Sequence, residues 1–320
     1  MAKSLVARLK LVQDRSGFVL YLTSFLINVS LQETFSTSFL TTRYTEYPFP
    51  DKTLVALTAT ATEQTRQYIS SSLGMIAPVT ITVNPNRKNI FYAASRRKNA
   101  GDDKIEELLL PYILKLMETR EKMPLIVFYS NLDICGECYC IFDRLFGDNQ
   151  YTHLGSEHLA KNRLFAQFHA NYPEKEKNYI LDDLIKGPGN IQVLFVTVAF
   201  GIGIDCPNIH EVVHIGEPNT MEEFFQESGR AGRDGEPALS RVLFNSYDIG
   251  NGNKNINHVM RKFASTTKCR RKVILEYFGF SVSDSDSEHC LQLCCDNCAS
   301  SCFCKECQKK NQIYPLLWIS

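Results

Sequence analysis

The chain has 320 residues, of which 44% are hydrophobic and 22% are charged. These fractions match those of folded soluble proteins and argue against a disordered, fibrous or polytopic membrane chain. The length allows about two compact domains with sizeable cores, which excludes a small disulfide-stapled protein. Lysine and arginine number 35, as do aspartate and glutamate, so the formal net charge is zero and any nucleic-acid surface must be local.

The first 50 residues show no clear helical or strand period and stay unassigned. Residues 18–31 are mostly apolar and follow four basic residues, which superficially resembles a signal peptide or a membrane anchor. Polar residues such as Thr23, Asn28 and Ser30 interrupt this run, whereas a membrane-spanning helix requires about 20 apolar residues in succession. A membrane role is therefore the less favoured interpretation.

From about residue 51, short apolar stretches alternate with amphipathic helical stretches, which is typical of parallel βα units. Helices are predicted over residues 103–117 and 222–228. Strands are predicted over residues 54–57, 80–83, 90–93, 125–129, 193–198, 212–215 and 241–244. The predicted fold class is α/β, with a parallel sheet and helices on both faces, followed by a small helical, cysteine-rich subdomain.

After residue 250 the strand pattern stops. Residues 251–275 contain seven basic residues and no acidic one, so this segment forms either a phosphate-binding surface or a solvated helix face. Seven of the twelve cysteines lie between Cys290 and Cys307, and Cys269 lies just upstream. Such clustering favours a metal site over scattered disulfides, with reduced structural cysteines as the alternative.

The most informative segment is residues 226–235, whose sequence is QESGRAGRDG. Arg230 and Arg233 are separated by small residues and can project from one side of a helical turn, while the glycines allow a ligand to approach the backbone. Arginine binds phosphate through two parallel hydrogen bonds, so the pair suits a polyphosphate. Taken alone, the pair could equally form ion pairs at the surface.

A second segment suited to phosphate follows the strand predicted at residues 193–198. Thr197, Gly201, Gly203 and Asp205 lie in a glycine-bearing loop, where backbone N–H groups can reach phosphate oxygens that side chains would otherwise obstruct. A purely structural turn is the alternative, because two glycines alone are a weak signal.

Alternating threonines follow the strand predicted at residues 54–57. Thr58, Thr60 and Thr62 could cap the next helix and bond phosphate, or they could be ordinary strand and cap threonines. None of these segments decides the function alone, so their order along the chain is the stronger signal.

Four segments in order, residues 57–62, 125–131, 196–205 and 226–235, resemble motifs III to VI of superfamily 2 helicases, in the form used by the RecQ family. The resemblance covers about residues 48–298. It implies two RecA-like lobes that sandwich ATP, with a phosphate loop and a metal-binding carboxylate in the first and arginine fingers in the second. The family activity is ATP-dependent 3′ to 5′ DNA unwinding in recombination and repair, which implies a nuclear location.

The resemblance also implies roles for individual residues. Arg230 and Arg233 correspond to the arginine fingers, and Gln226 helps to couple the nucleotide state to motion. The residues expected to contact the backbone of single-stranded or branched DNA are Thr58, Thr60, Thr197, Gly201, Gly203, Asp205, Arg270 and Arg271.

Two motifs of the family's first lobe are missing, since the sequence contains no Gly-x-x-x-x-Gly-Lys-Ser/Thr and no Asp-Glu dipeptide. The lysine and carboxylate of these motifs position phosphates and magnesium, so we expect no unaided ATP hydrolysis, and ATP and Mg²⁺ only with a complete first lobe. The expected organisation is an unassigned segment at 1–50, a first-lobe remnant at 51–92, the second lobe at 93–250, and a zinc-binding subdomain with a tail at 251–320.

The cysteine-rich region resembles the RecQ zinc-binding domain. The resemblance implies four thiolate ligands for zinc: Cys269, Cys290, Cys295 and Cys298. Cys294 adjoins Cys295, so either could be the third ligand, and we choose Cys295 because two residues separate it from Cys298. Four cysteines are then left for a second zinc site or as free thiols: Cys294, Cys302, Cys304 and Cys307.

A noncatalytic protein is the competing interpretation. The same residues could form a DNA-binding zinc module, or a regulator that docks on another helicase chain. ATP turnover separates the two classes, because only an enzyme would lose turnover when Arg230 is replaced.

Overall fold

The computed structural model describes residues 9–14, 17–22, 56, 58, 60–72, 74–97, 102–119, 125–152, 158–185, 189–201, 206, 208–250, 252–253, 255–281 and 294–302. The chain divides into two compact units, residues 1–84 and 85–320. The described helices include none that is long and apolar enough to cross a membrane.

The described residues of the first unit form an antiparallel hairpin and one helix. Strand β1 (Leu9–Asp14) pairs with β2 (Gly17–Leu22), which includes part of the apolar run at residues 18–31. Helix α1 (Glu63–Ser72) begins after Thr62, whose hydroxyl accepts a hydrogen bond from the Thr65 N–H at 3.2 Å. Thr62 therefore acts as the helix cap that the sequence allowed.

The predicted strand at residues 80–83 is absent, and these residues form no regular element within the part of the chain that the structure describes. Val79, Ile81 and Val83 lie at alternate positions and are 90%, 88% and 81% exposed. Their β-branched side chains favour extended backbone, but a strand requires a hydrogen-bonded neighbour. The strand predicted at residues 54–57 falls largely outside the described residues.

The second unit is built on a six-stranded, fully parallel sheet with the order β3-β8-β7-β4-β6-β5. The strands are β3 (Ile90–Arg96), β4 (Leu125–Tyr129), β5 (Phe165–Phe168), β6 (Val193–Val196), β7 (Ile209–Ile215) and β8 (Ala238–Phe244). Every residue of the central strand β4 is buried, as expected for a parallel strand covered on both faces.

Helices cover both faces of this sheet, which confirms the predicted α/β class. They are α2 (Asp102–Thr119), α3 (Leu132–Phe146), α4 (Glu174–Ile185), α5 (Met221–Ser228), α6 (His258–Ser265), α7 (Arg270–Tyr277) and α8 (Asp296–Ser300). The apolar side chains of α2 and α3 pack in one core, which includes Phe142 and Phe195. Side chains of α4, α5, α6 and α7 pack in the core on the opposite face.

Side-chain caps explain where several of these helices begin. Asn131, Thr220 and Asn257 precede α3, α5 and α6, and each accepts a hydrogen bond from a backbone N–H three residues later. Such caps satisfy N–H groups that have no partner within the helix. The start of α5 matters most for function, because α5 leads directly into the segment with Arg230 and Arg233.

The unit boundary differs from the expected one at residues 92 and 93. Ile90–Arg96 forms one continuous strand that pairs with β8 along its whole length, so these residues all belong to the second unit. The two compact units meet between Asn84 and Pro85. Strand β5 was not predicted, and the strand expected at 193–198 ends at Val196 before a short 3-10 turn, Val198–Gly201.

Candidate functional site

The segment after α5, residues 229–235, is here called the arginine loop. It lies near the carboxyl ends of β4 and β6: the Arg230 guanidinium is 5.6 Å from the ring of Phe200, just after β6, and close to Tyr129, the last residue of β4. Ligands of open parallel sheets bind at this edge. Arg230 is only 6% exposed whereas Arg233 is exposed, and both guanidinium groups lie close enough to Tyr129 to act on its hydroxyl.

Two side chains from the segment before β3 hold the arginine loop. Arg87 donates hydrogen bonds to the carbonyl oxygens of Gly229 (3.2 Å), Ala231 (3.1 Å) and Gly232 (2.6 Å). The Asn89 amide donates to Gly232 and Glu236, each at 2.8 Å. These bonds satisfy carbonyl groups that a helix or a sheet would otherwise pair.

Gly232 is the tightest point of this arrangement. Its φ is +59°, and an added Cβ would lie 2.5 Å from Asn89 Nδ2 and 2.7 Å from the Glu236 carbonyl oxygen. Glycine is therefore required here for two reasons: the backbone has a positive φ, and atoms of Asn89 and Glu236 leave no room for a Cβ.

A buried polar pair fixes α5 to the sheet next to the arginine loop. His214 of β7 and Glu227 of α5 are joined by a 3.0 Å contact between Nε2 and a carboxylate oxygen. The His214 ring stacks on Tyr129 with a centroid distance of 5.3 Å. Burial raises the pKa of the Tyr129 hydroxyl, and the nearby Arg230 opposes that effect, so Tyr129 is a neutral phenol beside the guanidinium.

The other predicted phosphate contacts are only partly described. Thr197 directly follows β6 and is half-buried, and the backbone of Gly201 ends the 3-10 turn that comes next. Gly203 and Asp205 lie outside the described residues. Thr58 and Thr60 belong to the first unit, where the Thr58 hydroxyl donates to the Thr60 carbonyl oxygen at 3.1 Å.

Four cysteines come together after the sheet. The Sγ atoms of Cys269, Cys294, Cys295 and Cys298 all lie within 4.8 Å of one another, and this set is here called the cysteine cluster. A tetrahedral Zn²⁺ with Zn–S bonds of about 2.3 Å separates its sulfurs by about 3.8 Å. The donor set and the spacing therefore fit zinc.

The thiols of the cluster already interact strongly with one another. Hydrogen bonds from Cys294 and Cys295 lower the pKa of Cys269. The hydrogen bonds that Cys294 makes with Cys269 and Cys295 raise the pKa of Cys294. Thiolates are the species that bind zinc. The hydrogen bonds within the cluster thus stabilise the thiolate form of Cys269.

The cluster contains Cys269, Cys295 and Cys298 of the predicted zinc ligands, while Cys290 lies outside the described residues. Cys294 lies 3.4 Å from Cys269, Sγ to Sγ, so the structure groups it with this cluster rather than with the cysteines of the tail. Of those, Cys302 is half-buried, and Cys304 and Cys307 lie outside the described residues.

Arg270 and Arg271 were expected to contact DNA, but the structure places both inside the protein, where they are 4% and 8% exposed. Arg270 pairs with Asp296 at 2.6 Å and donates to carbonyl groups of α6, including that of Phe263. Arg271 donates to the carbonyl oxygens of Arg87 (2.5 Å) and Ile90 (2.6 Å). Guanidinium groups used in this way have little capacity left for a phosphate.

Exposed cations remain elsewhere in the basic segment. Lys262, Lys268 and Lys272 are exposed, while Arg261 donates to the Asn253 carbonyl group. The charge available to a nucleic acid in this segment therefore comes from lysines around the two buried arginines.

Arg87 and Asn89, which hold the arginine loop, were not among the predicted site residues. They lie in the stretch Asn-Pro-Asn-Arg-Lys-Asn at residues 84–89, which precedes a strand and reads as an ordinary turn. The local sequence gives no signal that these side chains reach residues more than 140 positions later.

Comparisons with known families agree with this arrangement. The helicase conserved C-terminal domain family matches residues 108–235, a range that contains strands β4 to β7 and the whole arginine loop. The RecQ zinc-binding family matches residues 248–299, which contains the cysteine cluster. The sheet and the arginine loop thus define the C-terminal lobe of a helicase.

Relatives make the assignment more specific. ATP-dependent DNA helicase Q-like 2 of Arabidopsis thaliana is 32% identical over 268 residues, which are 81% of this chain and 34% of that protein. ATP-dependent helicase SGS1 of Saccharomyces cerevisiae is 32% identical over 273 residues, which are 79% of this chain and 17% of that protein. The chain belongs to the RecQ family, and it spans about a third or less of the length of these relatives.

Among solved structures, that of Dbp5 from S. cerevisiae bound to RNA and ADP BeF3 aligns with 75% of this chain and 54% of that chain. The TM-score is 0.48 and the sequence identity is 18%.

Proposed function

We propose that this chain provides the second motor lobe and the zinc-binding subdomain of an ATP-dependent 3′ to 5′ DNA helicase acting in recombination and repair in the nucleus. The arginine loop carries the proposal: Arg230 is buried at the carboxyl edge of the sheet, Arg233 is exposed, and the loop is held by Arg87 and Asn89. In this role Arg233 and Arg230 stabilise the charge of ATP phosphates, while Gln226 couples the nucleotide state to motion.

ATP and Mg²⁺ require groups beyond the arginine loop. Phosphoryl transfer also depends on a phosphate-loop lysine and a metal-binding carboxylate, and the sequence contains neither motif. We propose that the 320-residue chain by itself does not hydrolyse ATP and that a complete first lobe supplies these groups.

Release of inorganic phosphate from ATP tests this proposal, with the purified chain and single-stranded DNA. We expect no turnover above a protein-free blank. Turnover that is abolished in Arg230→Ala and retained in Arg163→Ala, a variant at an arginine near β5, would contradict the inactivity of the isolated chain. It would also support the assignment of Arg230 as a catalytic residue.

We propose zinc as the resident metal, held by Cys269, Cys295 and Cys298 with one further cysteine. Cys290 is the fourth ligand implied by the family resemblance, and Cys294 is supported by its place in the cluster. Metal analysis of Cys290→Ser and Cys294→Ser assigns the ligand, because the variant that retains one zinc per chain identifies the cysteine that does not bind.

DNA binding is the second measurable part of the proposal, with single-stranded or branched DNA as the partner. Lys262 and Lys268 are exposed and neutralise phosphates in this scheme. Fluorescence anisotropy with a labelled single-stranded oligonucleotide should show affinity that falls as salt rises, with a slope of about 0.7 on logarithmic axes for each phosphate neutralised. Replacing both lysines by glutamine should reduce the slope, whereas Lys175→Gln on α4 should not.

A noncatalytic role is the alternative, either as a DNA-binding zinc module or as a regulator that docks on another helicase chain. The missing phosphate loop favours it, together with an intact sheet and cysteine cluster. DNA binding without turnover, even when a complete RecQ first lobe is added in trans, would support this alternative over the motor role.

A further inference from the structure

We propose that the cysteine cluster controls the order of the arginine loop, and that Arg271 and Arg87 are the positioning residues that connect them. The inference concerns contacts within the second unit. Only the part that concerns zinc occupancy rests on the proposed zinc site.

The first connection joins Arg87 to the arginine loop. One guanidinium binds three carbonyl oxygens of the loop, those of Gly229, Ala231 and Gly232. The backbone on each side of these residues carries Arg230 and Arg233. Because a planar guanidinium holds its partners in fixed directions, Arg87 restricts the path of the loop as well as its distance from the sheet.

The second connection joins Arg271 to the segment that contains Arg87. Arg271 donates to the side-chain oxygen of Asn86 at 2.9 Å and to the carbonyl oxygens of Arg87 at 2.5 Å and Ile90 at 2.6 Å. Its guanidinium also lies 5.2 Å from the ring centre of Tyr92. Arg271 thus binds this segment both at residues 86–87 and at Ile90, which fixes the backbone of Arg87 between them.

The third connection joins Arg271 to the cysteine cluster. Arg271 Nε lies 3.4 Å from Cys294 Sγ, and Nη2 lies 3.4 Å from the Cys294 carbonyl oxygen. The same carbonyl oxygen accepts a hydrogen bond from the Tyr92 N–H at 3.3 Å. An ordered Cys294 therefore holds the Arg271 side chain in the position from which it reaches Arg87.

These connections form a continuous chain of hydrogen bonds in which each donor is buried or half-buried. Buried charged groups have few alternative partners, so a change at one end alters the geometry at the other. Zinc would order residues 294–298, here called the cysteine segment, and the ordered segment would in turn stabilise the arginine loop. Metal occupancy of the cysteine cluster then determines how firmly the loop that carries Arg230 and Arg233 is held in place.

Hydrogen exchange measured by mass spectrometry tests this inference on the full chain. The amides to follow are those of Gly232, which donates to the Ile209 carbonyl oxygen at 2.7 Å, and Ala238, which donates to the Asn89 carbonyl oxygen at 2.9 Å. Peptides that cover β4 provide an internal reference for global unfolding.

Arg87→Lys should increase exchange in the arginine loop by about tenfold, because lysine lacks the fork that spans three carbonyl groups. Arg271→Lys should do the same while the zinc content stays at one per chain. The matched control is Arg97→Lys: Arg97 is half-buried and pairs with Asp248 at 3.1 Å, and the bonds of its side chain go to neither the cysteine cluster nor the Arg87 segment. It should leave the exchange of the loop unchanged.

The metal arm uses the wild-type chain with Zn²⁺ and after removal of the metal by a chelator. We expect removal to accelerate exchange in the arginine loop, and we expect this response to disappear in Arg271→Lys. If Arg271→Lys leaves loop exchange at the wild-type rate with and without zinc, the connection is overturned. A chain that binds no zinc contradicts the proposed metal site, yet the two lysine variants still test the connection on their own.

Discussion

The second unit contains two pairs of arginines, one in a loop at the edge of the sheet and one at the start of a helix. Arg230 and Arg233 occupy a loop at the carboxyl edge of the sheet, where one is buried beside Phe200 and the other is exposed. Arg270 and Arg271 open helix α7 within a strongly basic segment, yet both are buried. Local charge density in the sequence would have ranked the second pair as the better candidate for phosphate binding.

The difference follows from what surrounds each pair. Arg270 and Arg271 are adjacent and meet carbonyl groups of α6 and of the segment before β3, so their charge is used inside the protein. In the arginine loop, Arg87 and Asn89 bind the carbonyl groups, and Arg233 lies at the surface. A basic residue serves structure or ligand according to whether unpaired carbonyl groups lie within its reach.

The largest expected effect concerns the cysteine cluster. Cys295→Ser should abolish zinc binding and, with it, metal-linked stability of about 10 kcal/mol, because a serine hydroxyl replaces a thiolate in a closed tetrahedral site. Metal analysis and thermal unfolding measure both changes. Cys140→Ser alters an exposed cysteine on α3 and should retain one zinc per chain. Retention of one zinc per chain by Cys295→Ser would show that Cys295 is not a required ligand of the metal.

The next effect compares a buried and an exposed cation in α7. Arg271→Ala should lower the free energy of unfolding by about 3 kcal/mol, since it leaves the buried carbonyl groups of Arg87 and Ile90 without their donor. Lys272→Ala, at the adjacent exposed position, should change it by about 0.5 kcal/mol or less. Urea unfolding provides the measurement, and equal effects would remove the distinction between structural and surface charge.

A smaller effect separates two glycines of the arginine loop. Gly232 and Gly235 both have positive φ values, +59° and +90°, but only Gly232 is crowded by neighbouring atoms. Gly232→Ala should cost about 3 kcal/mol of stability and Gly235→Ala about 1 kcal/mol. If the two variants unfold at the same urea concentration, the close packing of the loop against Asn89 is not needed for folding.

The smallest effect depends on pH and concerns Glu217, which follows the carboxyl end of β7. Burial raises the pKa of Glu217 from 4.5 to about 8, Asp248 adds to the rise, and Arg261 opposes it. The folded chain keeps a proton that the unfolded chain releases, so the free energy of unfolding should fall as pH rises from 4.5 to about 8 and then level off.

Glu217→Gln tests this expectation, because glutamine cannot ionise. Since the residue is only half-buried, we expect the wild type to lose about 2 kcal/mol relative to the variant over that range. Parallel pH profiles for the two proteins would show that Glu217 titrates as an ordinary surface acid.

Hydrophobic pattern predicted most of the sheet. Strand β4 was predicted with its observed ends. Its five successive apolar residues are typical of a central parallel strand, which is buried on both faces. Strands β7 and β8 were predicted too short, since their first residues include polar side chains such as His210 and Ser240. Strand β5, with the sequence FAQF, was missed because four residues carry too little pattern.

Contacts between distant parts of the chain account for the other differences. Nothing in the local sequence indicates that Arg271 turns inward to Asn86 or that Arg87 reaches Gly232. The threonine pattern predicted the cap at Thr62, because capping depends only on nearby residues. Local rules therefore describe helix ends and strand cores, while the fate of long charged side chains depends on tertiary partners.

The contact between the cysteine segment and β3 has a consequence for solubility. Strand β3 is an outer strand of the sheet, and the segment beginning at Cys294 occupies its open side: Tyr92 donates to Cys294, and Ala94 donates to the Asp296 carboxylate at 3.0 Å. Open strand edges recruit strands from other molecules. The segment that begins at Cys294 thus covers the open side of β3, and we expect a chain that loses this contact to be more prone to intermolecular strand pairing.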